Sequence, residues 1–596
     1  MSDFNVTVSQ TRGLRNDKGR KFVPEDYLYS VTNFDLDDGI KRIKCPSIVY
    51  NVGNDKINGY YNFRYINYVG AFQSELIMAQ GANLIKNPLT SPTTIHTNLT
   101  PNKKCTFAIL NDKLFISNGT DFPLVYDGDV VSEMGAPSAK ALASGILSGN
   151  YKYALTYVIS GVEVVIGTVS NILTASSNNI KLKLPIGPNN CTARKIYRTD
   201  SGGTQLKLLT TISDNTTMEH TDNTADSSLG ANIPATNSSC PKPQYITVKN
   251  ERLIGCSDSQ RPNILYVSET EIEIFFRTLG AYDVSNVGND NTPLTGLSID
   301  YNQVVVFSEK NIYLVDVSGV LASIHQTNSN VGCINGFSIA LIPASSGMNG
   351  GILFVSNLYD VRIFSGNSAT NLATQLDNLN TSNFSSAIHK ETFAKLLKDS
   401  NENNTIHAEF LDYKYHLITD SDIYVFNSKI LGWTKYNFST TSYTPTYWTI
   451  SRIENDLYLS QKTAGILEQM YQDVTYRSES LKAEFETPEI MIEGTDRVYF
   501  KNLYFYFDNT GVNQFDVLVT TDSRKTNRGL VSYQGGFYDS SVYDDEFYFT
   551  GEEEEDYKVM HLNEYGQWLR IKITTEQLIN FKGWRLTGNR ITNKEA

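Results

Sequence analysis

Three carboxylates crowd into the stretch NFDLDDGIKRIKCPS (33–47): Asp35, Asp37 and Asp38, followed by Gly39 and then by Lys41, Arg42 and Lys44. Carboxylates at this spacing could hold a calcium ion, and the basic residues could grip a phosphate. An EF-hand loop needs oxygen ligands at alternate positions and a bidentate Glu as its twelfth residue. Counting from Asp35, the twelfth position is Pro46, so the calcium reading fails. Asp-Gly before an alternating segment is a hairpin signal, because glycine takes φ > 0 without steric cost. The expectation is a turn over 35–39, with Lys41, Arg42 and Lys44 on the faces of the strand that follows.

The other residues with reactive side chains form no recognisable constellation. His96, His220, His325, His389, His407, His416 and His561 include no pair four apart and no H-E-x-x-H, which argues against a zinc enzyme. A G-x-S-x-G elbow and a P-loop are both absent. Asp544 and Asp545 could serve a glycosidase, but one adjacent pair is expected by chance among 64 acidic residues. Trp433 could stack on a sugar; packing inside a sheet protein is the preferred reading. Cys45, Cys105, Cys191, Cys240, Cys256 and Cys333 lie far apart with no C-x-x-C, which suits buried free thiols in a reducing compartment. The expectation is a protein that is not an enzyme and has no cofactor or metal.

The elements that must carry these residues are β-strands. Among 596 residues stand 36 Tyr and 28 Phe against 4 Trp and 8 Met, a usage that favours pleated, half-buried surfaces. The formal net charge of −13 repels nucleic acid unless a basic stripe overrides it, and no such Lys/Arg run occurs. The strongest charge block is acidic, Glu552 to Asp556, and reads as solvated loop. The amino-terminal MSDFNVTVSQTRG has no apolar core of a signal peptide, and no apolar run reaches eighteen residues, so neither Sec export nor a membrane span is expected.

One pattern recurs: an apolar strand, a turn of Asn, Asp or Gly, then a second strand ending in an aromatic. It occupies 57–87, 107–131, 246–269, 294–319, 350–366, 407–438 and 448–470. Such units cannot bury their faces alone and pack around a common axis. The predicted fold is mainly β: a propeller of about seven blades, with six to eight open, an inserted fibronectin-III or immunoglobulin-like sandwich and a C-terminal β-sandwich or platform. The expected division is an N-terminal strand region with the first blades over 1–135, the inserted sandwich over 136–240, the remaining blades over 241–475 and the C-terminal platform over 476–596. A helix over 385–399 is expected to decorate the second group of blades, its Ile388, Phe393, Leu396 and Leu397 falling at helical spacing.

Several of these segments, taken in order, resemble a known family. NGTDFPLVYDG (118–128), EMGAPSAKA (133–141) and GNYKYALTYVISGVEVVIGTVSN (149–171) resemble the tail nozzle proteins of short-tailed bacteriophages, also called tail tubular protein B or stabilisation proteins. The stretch 33–47 and YVFNSKILGWTKYNF (424–438) look similar too, and the likeness in order and texture runs from about residue 20 to 470. The resemblance implies a structural virion protein, made in the host cytoplasm and placed in the distal part of the tail. It implies a homohexameric ring around the channel for ejected double-stranded DNA, in contact with an adaptor ring and with fibres or spikes. No catalytic residue carries over. In such a ring Asp35, Asp37, Asp38, Lys41, Arg42 and Lys44 would be turn or subunit-contact residues, their charges matched by a neighbour's loops. The alternative from a different class is a carbohydrate-binding or carbohydrate-active propeller, since such folds often bind sugars.

Overall fold

Several of the hairpins turn on just two residues. Leu110 pairs with Lys113, Lys249 with Arg252 and Leu411 with Lys414, and the residues between them, Asn111-Asp112, Asn250-Glu251 and Asp412-Tyr413, all have positive φ. Two central residues of this kind twist in the sense of the flanking strands, so each turn seeds an antiparallel pair. A computed structural model shows what those pairs build. It describes residues 2–591 except 68–69, 289–290, 301–302, 328, 344–349, 366–367, 372–387, 389, 421, 493–496, 509–512, 523–524 and 533–556.

Seven four-stranded antiparallel units follow one another, at 57–96, 106–133, 245–283, 294–326, 340–371 and 407–436, the last of these part of a ten-stranded sheet, with the seventh made of Tyr447–Ile453, Asp456–Gln461, Ile466–Asp473 and Cys45–Asn51. The first strand of each unit lies beside the first strand of the next, and Tyr447–Ile453 of the seventh lies beside Ile57–Ile66 of the first. The result is a closed seven-bladed β-propeller. Cys45–Asn51, which precedes blade 1 in sequence, completes blade 7, so the wheel is closed by strand pairing between distant parts of the chain.

Each blade is a meander of four strands, so its fourth strand ends where its first began. All seven innermost strands therefore start at one end of the wheel. Between blades 2 and 3 the chain leaves to form the inserted sandwich, with sheets built from Ser138–Ala141, Ile180–Lys183 and Glu219–Asp222 and from Val162–Val165, Tyr153–Ile159, Cys191–Thr199 and Leu206–Ile212. Its core holds an ion pair, Arg198 to Asp222 at 2.6 Å, with both side chains fully buried and Tyr153 donating to the same carboxylate. The sandwich is docked on the wheel: Tyr157 meets Phe276 edge-on and donates to the Gly135 carbonyl. The helix runs over Lys390–Glu402, three residues beyond the expected end, and its Phe393 packs on Tyr424 and Trp433 of blade 6.

The first 42 residues depart from the expected division. Ser2–Val8 and Ile40–Arg42 pair with Asn580–Arg590, and Ser30–Thr32 bridges Ala483–Glu486 to Gly432–Tyr436, the outer strand of blade 6. Both ends of the chain thus build the second sandwich, whose sheet runs on into the propeller. The cause is apolar: Phe34, Phe485 and Phe581 pack edge to face and are essentially buried, and aromatic pairs of this geometry add about 0.5–1.5 kcal/mol each beyond area burial. All six cysteines are free and buried.

Candidate functional site

The segment 33–47 does form the expected hairpin. Phe34–Asp35 pairs with Ile40–Arg42, and Gly39 turns with φ of +87° at a place where a Cβ would run into the Phe581 carbonyl. Its charges, however, are matched inside the chain. Lys414 of blade 6 lies 2.7 Å from both Asp35 and Asp37, and Asn427 of the same blade donates to Asp37. On the other side Lys582 of the terminal sandwich bonds Asp38 at 2.8 Å and Asp508 at 3.2 Å. The acidic turn is a clamp between blade 6 and the sandwich.

Arg42 corrects the reading of the basic residues as subunit contacts. Its side chain is 1% exposed and donates to the Leu481 and Val474 carbonyls at 2.9 and 3.1 Å, just where the chain crosses between blade 7 and the sandwich. Burial lowers its pKa, with Cys45 alongside acting the other way, and the Cys45 thiol is pushed up to about 11, chiefly by burial. A residue so placed cannot meet a neighbouring copy. Lys41 and Lys44, one on each side of it, are exposed. Trp433 is buried against Phe426 and offers no face to a sugar. Asp544, Asp545 and the run from Glu552 to Asp556 lie outside the described residues.

A second cluster, which the sequence reading missed, sits where the innermost strands begin. Lys104 lies two residues before blade 2 and is 2% exposed. Its Nζ crosses the wheel, donating to the Ile406 carbonyl at 2.9 Å and lying 4.7 Å from the Trp448 ring centre and 5.3 Å from that of Phe337. Phe337 also packs at a tilt on His407 and edge-on against Tyr245, whose hydroxyl accepts from the Gly336 amide. Side chains from blades 2, 3, 5, 6 and 7 thus close this end of the axis. Lys56, leading into blade 1, lies 4.5 Å from the Trp448 ring centre.

The electrostatics of this stopper are one-sided. Burial lowers the pKa of Lys104 well below its usual value, and the charges of Lys462 and Lys56 push it the same way. Burial and then Lys104 act likewise on His407. Lys462 itself is paired with Asp420 at 3.9 Å. Trp448 Nε1 and His407 Nδ1 are buried without a hydrogen-bond partner among the described residues. The only signal in the sequence was two adjacent lysines at the corner before a strand, TPNKKCTFAIL, and nothing there marks Lys104 as the one that turns inward.

No family model and no curated protein matches the chain. Among solved structures it is similar to the computationally designed Ika8 protein (7% identity, 71% of this chain and 99% of that one, TM-score 0.30). It is also similar to YCF48 bound to D1 peptide (9%, 76% and 100%, TM-score 0.27) and to BamB from Moraxella catarrhalis (10%, 64% and 97%, TM-score 0.26). Likeness at these TM-scores carries no argument, and the propeller is read from its own strand order, a closed circle of seven four-stranded units.

Proposed function

We propose that the chain is a structural subunit of a short-tailed phage virion, a tail nozzle protein that works by assembling with copies of itself around the path of the ejected DNA. The observation that carries the reading beyond its sequence resemblance is the stopper. A duplex cannot pass along a wheel whose axis is crossed by Lys104 and filled by Phe337 and Trp448, so a conduit has to be formed between copies. The net charge of −13 suits such a conduit, since carboxylates keep a polyanion from adsorbing where each phosphate contact would add sticking energy. Val320 and Leu321, 89% and 75% exposed, sit on a turn at the end of the wheel away from the stopper, where a packed assembly would cover them. Adaptor and fibre proteins are the partners that this reading implies.

Electron microscopy and light scattering of the purified chain test the proposal. The expected result is a ring or short tube of about six copies. A monomer that binds or hydrolyses glycans would replace it with the carbohydrate reading.

A further inference from the structure

We propose that the stoppered end of the propeller axis is a binding site for a small oxyanion, held by Lys104 together with Lys56 and Lys462 beside the Trp448 ring. The inference does not depend on the virion reading. Three ammonium groups share this mouth: Lys104 and Lys56 both lie over one indole, and Lys462 is close enough to act on the charge of both. Of the three, Lys462 is paired with Asp420 at 3.9 Å, whereas Lys104 and Lys56 have no carboxylate within ion-pair distance among the described residues. A buried ammonium without a counter-charge is strongly unfavourable, and a carbonyl together with two aromatic faces gives Lys104 no counter-ion, so an anion bound here would be what keeps it charged.

One further group points to a missing acceptor. Trp448, 3% exposed, keeps its indole N–H buried without a partner among the described residues. An indole N–H can only donate, so what it lacks is an oxygen. Lys56, Lys462 and His407 are half-buried and form the mouth through which a small ion enters, with Lys104 as the floor. A carboxylate, phosphate or sulfate group has the charge and the oxygens for this place, whereas a water would satisfy the N–H and bring no counter-charge to Lys104 and Lys56.

Calorimetric titration of the full chain with inorganic phosphate, in a chloride background of constant ionic strength, tests the proposal. One saturable site per chain is expected, displaced by sulfate. Lys104→Met and Lys56→Gln should each weaken it at least tenfold, circular dichroism showing that the variants are folded. Lys56 is half-buried, so its variant is informative even where Lys104→Met fails to fold. Absence of saturable binding in the unaltered chain, or binding that Lys56→Gln leaves unchanged, would overturn the proposal.

Discussion

Two buried lysines, Lys414 and Lys104, sit in the same propeller and meet opposite fates. Lys414, at the turn between the first two strands of blade 6, is held by Asp35 and Asp37. Burial alone would lower its pKa, yet the two carboxylates outweigh burial and raise it. Lys104, at the opposite end of the wheel, has one carbonyl and two rings, and its pKa falls. The difference lies in where the counter-charge comes from. The clamp draws its carboxylates from the N-terminal segment and fastens the terminal sandwich to blade 6. The axial lysine has been supplied with none, which is why it reads as a site and Lys414 as a fastening.

Substituting each lysine by methionine gives the sharpest contrast. Lys414→Met leaves two neighbouring carboxylates facing each other over a buried space, and the loss of one partner from a buried ion pair costs about 3 kcal/mol or more. Urea unfolding should show it, and adding Asp35→Asn and Asp37→Asn should recover part of the loss, since coupled residues are not additive. Lys104→Met removes an uncompensated charge, so in oxyanion-free buffer it should leave stability unchanged or raise it by about 1 kcal/mol. A loss of comparable size in both variants would erase the distinction.

The pH dependence separates them further. The pKa of Lys414 in the folded chain lies above its ordinary 10.5, so its contribution is complete below that value and is lost as pH rises through the folded value. For Lys104 the folded pKa lies below 10.5; between the two values the unfolded chain binds more protons, and stability rises with pH. Unfolding measured from pH 7 to 10 should therefore show a rising component that disappears in Lys104→Met and persists in Lys414→Met. At the acid end burial alone would raise the pKa of Asp37, but Lys414 and Asn427 outweigh it and hold the group below its ordinary 3.8. Its support is present above that pH and goes as pH falls through the folded value, so Asp37→Asn should flatten the acid limb.

The two lysines also mark what a sequence can convey. The blades were legible because each is made of neighbouring strands: a turn such as Asn111-Asp112 and the apolar runs beside it fix the pairing within a few residues, and the seven recurring segments coincide with the seven four-stranded units. The clamp was half legible. Asp38-Gly39 announced a turn, but the partners of its carboxylates lie hundreds of residues away, and no local pattern encodes a pairing of that range. Arg42 was misread for the same reason, its neighbours in sequence being charged and its neighbours in space the carbonyls of Val474 and Leu481. Lys104 gave no signal, because only closure of the wheel brings Trp448 and Phe337 across from other blades.

The smallest effect on folding is expected from Lys41 and Lys44, the two basic residues of the opening segment that point outward. Reversing Arg42 together with Lys41 would bury a carboxylate against two carbonyls and unfold the region, so a failure to assemble would say nothing about contacts between copies. Lys41→Glu with Lys44→Glu avoids that. Surface changes of this kind stay within about 0.5 kcal/mol of the parent, and exposed ion pairs contribute about 0–1 kcal/mol each, a term that becomes visible only when repeated around a ring. The expected outcome is an unchanged unfolding midpoint and a shift from ring to smaller species in sedimentation, stronger at low salt than at high salt because exposed charges are screened. A ring that forms equally well with both charges reversed would confine the work of this segment to the clamp inside the chain.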